Sequence, residues 1–127
     1  MKKHYFLIFL VIIVLFFLIA SKFTKPVEIL YFYNNKCIVS KTTNKILYDV
    51  QQKFGNKVQI KFIEISMFPG DKSDSNETAE LREKYKIRGT PVMIINGREY
   101  RKAYEMDDVI KEICKNFLLP PLECFIY

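Results

Sequence analysis

A cysteine set where an apolar strand gives way to a helix constrains this chain more than any other feature. Val27 to Ser40 reads VEILYFYNNKCIVS. Val27 to Tyr33 are β-branched and aromatic with few polar interruptions, the make-up of a strand covered on both faces, which predicts a central place in a sheet. After Asn34-Asn35-Lys36, apolar residues recur at Val39, Ile46, Leu47, Val50 and Phe54, close to helical spacing, until Gly55-Asn56 stops the pattern. Cys37 therefore falls at a helix N-terminus. Unpaired backbone N–H groups and the positive end of the helix dipole favour a thiolate there and lower its pKa, which makes Cys37 the candidate nucleophile. One turn on, where the resolving thiol of a C-x-x-C pair would stand, the chain has Ser40. A hydroxyl can donate a hydrogen bond to a thiolate, but it cannot close a disulfide.

The rest of the chain supplies partners for that unit. Val58 to Ile65 alternates apolar with polar residues as a strand does, and a right-handed crossover would set it parallel to the first strand. Ser66 to Asn76, with Pro69-Gly70 and Asp71-Lys72-Ser73-Asp74-Ser75, reads as a surface loop too polar to bury. Glu77 to Lys86 reads as a helix capped by Ser75 or Asn76, with Leu81 and Tyr85 inward. Pro91 opens a further apolar run, Val92 to Ile95, and Asn96-Gly97 is a strong hairpin signal leading to a return strand, Arg98 to Lys102. A proline opening a central strand is disfavoured unless its peptide bond is cis or it takes the strand's first position. Asp107-Asp108 start a last helix with Val109, Ile110, Ile113, Cys114 and Phe117 on one face, ending before Pro120-Pro121.

Strand, Cys37-Ile38-Val39-Ser40 at a helix start, and Gly89-Thr90-Pro91-Val92 far downstream together resemble the thioredoxin-like superfamily, over residues 26–117. The resemblance implies an α/β fold, a three-layer α/β/α sandwich on a mixed sheet. It also implies a cis Pro91 opposite the cysteine, with Thr90 offering backbone hydrogen bonds to an extended substrate. The chain departs from the pattern in three places: Ser40 replaces the second cysteine, Tyr31 stands where many thioredoxins carry a buried carboxylate, and Ile38-Val39 replace Gly-Pro or Pro-His. On this likeness Cys37 and Ser40 are the catalytic candidates and Thr90 and Pro91 the substrate-binding ones. The implied activity is monothiol thiol–disulfide exchange on protein or small-thiol disulfides, with no cofactor. The alternative is an inactive thioredoxin-fold module that binds an extended peptide or a membrane partner.

Ahead of this unit, residues 5–20 run YFLIFLVIIVLFFLIA without a charge or a helix breaker. Sixteen helical residues cover about 24 Å against a hydrocarbon core of ~30 Å, and Ser21, Phe23 and snorkelling Lys2, Lys3 and Lys22 would extend the span. A cleaved signal peptide shares the charged start and apolar centre. A cut after Ala20 would leave Leu18 at the position that calls for a small residue, which favours an uncleaved anchor in the lipid bilayer. With the N-terminus in the cytoplasm, the remainder is expected outside, where disulfides form.

Of the formal charge of +6, four basic residues (Lys2, Lys3, Lys22, Lys25) precede Glu28, the first acid. The remaining sixteen basic and fourteen acidic residues are interspersed in sign with no aromatic-basic stripe, which excludes a nucleic-acid reading. The expected organisation is an anchor and its flanks over residues 1–25, one domain over 26–117 and an apolar tail over 118–127. Cys114 is expected to pack as a small hydrophobe on the last helix, with Cys124 in the tail, where it could act as a remote resolving thiol. One histidine, His4, and three widely spaced cysteines predict no metal site. Asn76-Glu77-Thr78 fits a glycosylation acceptor and equally serves as a helix start.

Overall fold

The computed structural model describes residues 2–23, 25–68 and 74–126, and within the first helix the side chains of residues 4–19. β1 (Val27–Tyr33) is the centre of a mixed four-stranded sheet. β2 (Val58–Glu64) pairs parallel to it, and β3 (Val92–Ile95) pairs antiparallel on its other edge. β4 (Arg98–Glu99) closes the far side in a hairpin with β3. The helices are α1 (Lys2–Phe23), α2 (Ile38–Phe54), α3 (Asn76–Lys84) and α4 (Met106–Lys115). The expected order of elements and the parallel crossover are both present.

Because strand side chains alternate, β1 serves two cores. Val27, Ile29 and Tyr31 point to one face, where Leu47, Val50 and Phe54 of α2 and Val109, Ile110 and Ile113 of α4 close over them. Phe32 and Leu30 point to the other, against Ile63, Ile65 and Ile94, with Leu81, Tyr85 and Ile87 of the α3 region above. The fold is thus a sheet between two helical layers.

Asn96 (φ 45°) and Gly97 (φ 79°) both take the left-handed conformation that a two-residue hairpin of this hand requires. The Asn96 side chain also accepts from the Glu28 N–H at 2.9 Å, tying the turn to the start of β1. β4 is shorter than the expected Arg98 to Lys102. The Tyr100 N–H still donates to the Met93 carbonyl at 2.8 Å, but its ring then turns into the core and its hydroxyl donates to the Ala103 carbonyl.

Two expectations need correction. Ser66 to Asn76 is not wholly a solvated loop: Asp74 and Arg82 form an ion pair at 2.5 Å with both side chains about 5% exposed, and Arg82 also donates to Ser66. Pro69-Gly70 and residues 71–73 lie outside the described residues. Cys114 is not a free packing thiol, because it forms a disulfide with Cys124 across a Cα–Cα distance of 5.8 Å. Cys124 is buried in the α2/α4 core, so it is no resolving thiol for Cys37.

In α1, the side chains from Tyr5 to Ile19 are all exposed. Among the described residues, no helix is long and apolar enough to cross a membrane. The flanking side chains expected to lengthen a span, those of Lys2, Lys3, Ser21, Lys22 and Phe23, lie outside the described ones.

Two stability predictions follow from this packing. Burial alone would raise the Asp74 carboxyl pKa, but the Ser66 N–H and the Arg82 guanidinium more than offset it and hold the group below its ordinary value. Its stabilising contribution is therefore present above the unfolded value of ~3.9 and lost as pH falls through the lower folded one. Asp74→Ala should lower unfolding stability by about 3 kcal/mol at pH 7, with the gap to the native chain narrowing below pH 4 in urea titrations. Replacing Cys114 and Cys124 together by serine should cost about 2–3 kcal/mol, the entropy of the ten-residue closure. An unchanged urea midpoint would show that the closure contributes nothing.

Candidate functional site

Asn34, buried at the end of β1, builds the turn that delivers Cys37. Its side-chain oxygen accepts from the Lys36 N–H at 2.9 Å, its amide donates to the Ile65 carbonyl at 2.7 Å, and its own carbonyl accepts from the Cys37 N–H at 3.0 Å. An Asx turn of this kind reverses the chain within three residues. Cys37 then sits as the N-cap of α2, with extended backbone (φ −86°, ψ 121°) and a half-exposed side chain.

The Cys37 thiol lies 4.0 Å from the Thr90 carbonyl oxygen, and the Thr90-Pro91 bond is cis, as the resemblance implied. The Tyr104 hydroxyl donates to the Pro91 carbonyl at 3.0 Å and so braces this loop from the α4 side. The Cys37 pKa is lowered, chiefly by the Ser40 backbone N–H and then by the Ser40 hydroxyl. Desolvation opposes the lowering, and the Val39 N–H and Thr90 make smaller contributions in its favour. The charge on sulfur is thus held by the first turn of α2.

Ser40 is fully buried. Its hydroxyl also accepts from the Asn34 N–H at 3.4 Å, and its carbonyl accepts from the Tyr31 hydroxyl at 3.1 Å. Burial pushes the Tyr31 phenol up to about 12. Near neutral pH it is a hydrogen-bond donor that orients α2 and takes up no proton, unlike a carboxylate in that place. On the open side, Ile38 and Val39 expose apolar surface beside the thiol. Next to the turn, a shallow cleft of about 470 Å³ is lined by Asn34, Lys36, Ser66, Met67 and Phe68.

Cys37, Ser40, Thr90 and Pro91, separated by up to 54 positions, therefore meet at one end of the sheet. Asn34 and Tyr104 belong to the same constellation and were not among the candidates. Asn34 was detectable as an Asx-turn residue ahead of a helix start, whereas nothing in the sequence ties Tyr104 to Pro91. Among the described residues, no group of three His, Cys, Asp or Glu side chains is placed to hold a metal ion.

The fold is thioredoxin-like. The chain is similar to the exposed lipoprotein thioredoxin of Streptococcus pneumoniae, with a TM-score of 0.56 and 13% identity over 75% of this chain and 88% of that one. A thioredoxin-2 described as a component of a malaria parasite's protein secretion machinery matches at 0.50 and 22%, over 72% and 84%. The germline-specific thioredoxin Deadhead of Drosophila melanogaster matches at 0.50 and 20%, over 77% and 87%. No family model and no curated protein matches the chain. At these identities the likeness is one of fold.

Ser40→Ala should raise the Cys37 pKa, because it removes the hydroxyl and keeps the backbone N–H. It also strips the Asn34 N–H of its acceptor, at a cost of about 1 kcal/mol. The pH dependence of iodoacetamide alkylation reads the first effect directly, since Cys37 is the free thiol. An unmoved alkylation profile would assign the whole shift to the helix backbone.

Proposed function

We propose that this chain is a membrane-anchored thiol–disulfide exchange protein that works through Cys37 alone. The observation that carries the reading is a half-exposed thiol with a lowered pKa at the first turn of α2, facing the Thr90 carbonyl beside a cis proline. The Cys37 thiolate attacks one sulfur of a substrate disulfide. That S–S bond breaks, a bond to Cys37 sulfur forms, and the departing sulfur leaves as a thiolate that takes a proton from solvent. A second thiolate then attacks the mixed disulfide and releases Cys37. When the second thiol is the substrate's own, the disulfide is rearranged with no net redox change. When it is a small thiol, that thiol is left disulfide-bonded to the substrate, and a second small thiolate must displace the substrate sulfur to give the small-thiol disulfide and the reduced substrate. Ser40 stabilises the attacking thiolate and cannot resolve the intermediate, while Thr90 and Pro91 line the place for an extended substrate backbone.

The anchor reading is supported by the unbroken apolar run of α1, whose described side chains from Tyr5 to Ile19 are all exposed and would be costly in water. An extracytoplasmic domain, with the N-terminus in the cytoplasm, is supported by the Cys114–Cys124 disulfide, which needs an oxidising compartment. On this reading residues 1–25 anchor the domain of 26–117 and its tail.

A second reading, a non-catalytic module that holds a peptide in the same groove, is favoured by Ser40 and Tyr31 standing where the exchange machinery has a thiol and a carboxylate. Oxidised glutathione separates the two. The exchanger should form a persistent glutathione adduct on Cys37, visible by mass spectrometry and absent from Cys37→Ser. In Ser40→Cys the adduct should be short-lived, replaced by an internal disulfide from Cys37 to the new thiol. No adduct on the native chain at neutral pH would sink the exchange reading and leave the binding module.

A further inference from the structure

The C-terminal segment LLPPLECFIY takes no part in the site, and it does not finish the core in the usual way. Cys124 is buried and bonded to Cys114, while Leu118, Leu119, Leu122, Phe125 and Ile126 are 66–76% exposed. One residue is clamped inward and five large apolar side chains are held outward. Contiguous exposed apolar surface of this kind marks a contact with another apolar phase.

Its position says which phase. The Lys53 ammonium donates to the Ile126 carbonyl at 2.7 Å and Lys57 pairs with Glu123 at 2.5 Å, so the segment lies against the C-terminal end of α2 and the turn after it. A cleft of about 340 Å³ joins Leu119 and Pro121 to Lys25 and Pro26, the residues through which the chain arrives from α1 into β1. This is the end of the domain away from Cys37. The seven residues of β1 at ~3.3 Å each and the seventeen of α2 at ~1.5 Å each put the thiol more than 20 Å from it. Lys25, Lys53 and Lys57 rim the segment with Glu123 as the acid among them, a balance that suits anionic headgroups.

We infer that the disulfide-clamped segment 118–126 is a membrane-surface contact: its apolar side chains enter the headgroup–acyl boundary of an anionic bilayer beside the entry of α1. It acts as a second foot that turns the Cys37 end away from the lipid. An apolar face flanked by lysines is the pattern of interfacial binding, with apolar area and charge acting together. The inference rests on the anchor reading above, and it adds a second point of contact, which fixes an orientation that a single anchor does not.

The chain contains no tryptophan, so a single indole reports one place. The full-length variants Leu119→Trp, Phe125→Trp and Ile38→Trp would each be reconstituted into phosphatidylcholine–phosphatidylglycerol vesicles with and without brominated acyl chains. Leu119→Trp and Phe125→Trp should emit to the blue and lose most of their emission in the brominated vesicles, while Ile38→Trp, at the Cys37 end, keeps its emission. Protein that stays in the vesicles through an alkaline carbonate wash with no quenching at 119 or 125 overturns the contact and leaves the anchor standing. A blue-shifted but unquenched indole also overturns it, since protein then covers the segment. Loss of the protein in the carbonate wash overturns the anchor itself, and the seat assigned to this segment with it.

Discussion

β1 is hydrogen-bonded along both edges and covered on both faces, and the other elements take their places from it. Its odd-numbered side chains from Val27 to Tyr31 belong to the α2/α4 core and Phe32 to the opposite one, so neither layer can shift without disturbing the strand between them. A strand held this way is a fixed stem. The Asn34 turn hangs from its end, and the turn sets Cys37 at the first turn of α2. The geometry of the thiol is thus inherited from the most buried part of the fold.

Around that thiol, polar groups of the first turn of α2 stabilise charge on sulfur, and the Thr90 carbonyl faces it from the other side. The backbone N–H groups of Val39 and Ser40 and the Ser40 hydroxyl favour the thiolate, while Tyr31, raised to about 12, remains a neutral donor to the Ser40 carbonyl. A thiol with a lowered pKa and a buried hydroxyl one turn later is the arrangement on which the proposed exchange through Cys37 rests. Among the described residues no second thiol stands beside Cys37, because the other two cysteines are bonded to each other.

That separation gives the domain two chemically different ends. One carries the free thiol, the Thr90 carbonyl and the exposed Ile38 and Val39. The other carries the chain's entry from α1, the lysines of the α2 C-terminal end and the apolar C-terminal segment. Because α2 runs the length of the domain, its N-terminus and C-terminus mark these two ends, and its dipole favours a thiolate at the one and lysines at the other.

The local patterns in the sequence were sufficient for most of the elements and for the place of Cys37 at a helix start. A β-branched and aromatic run marked β1, alternation marked β2, helical spacing marked α2 and α4, Asn96-Gly97 marked the hairpin, and the helix start after Asn34 to Lys36 pointed to a lowered thiol pKa at Cys37. These are properties of neighbours along the chain, which is why they are legible there. Pro91 was found because a proline is disfavoured inside a central strand, again a local rule. What the sequence could not show are pairings across the fold between residues with several available partners. Cys114 fitted the apolar face of α4 as well as any small hydrophobe, and only its approach to Cys124 made it half of a disulfide. Asp74 looked like one more loop acid until Arg82 met it out of water, and nothing along the chain pairs Tyr104 with the Pro91 carbonyl that its hydroxyl reaches. The sequence by itself determined which stretches become strands and helices and that Cys37 begins a helix, because backbone propensity and apolar spacing act over a few residues. Only the tertiary structure decided which sulfur stays free, which charges are buried and which end of the domain each chemistry occupies, because those depend on distances that no local pattern encodes.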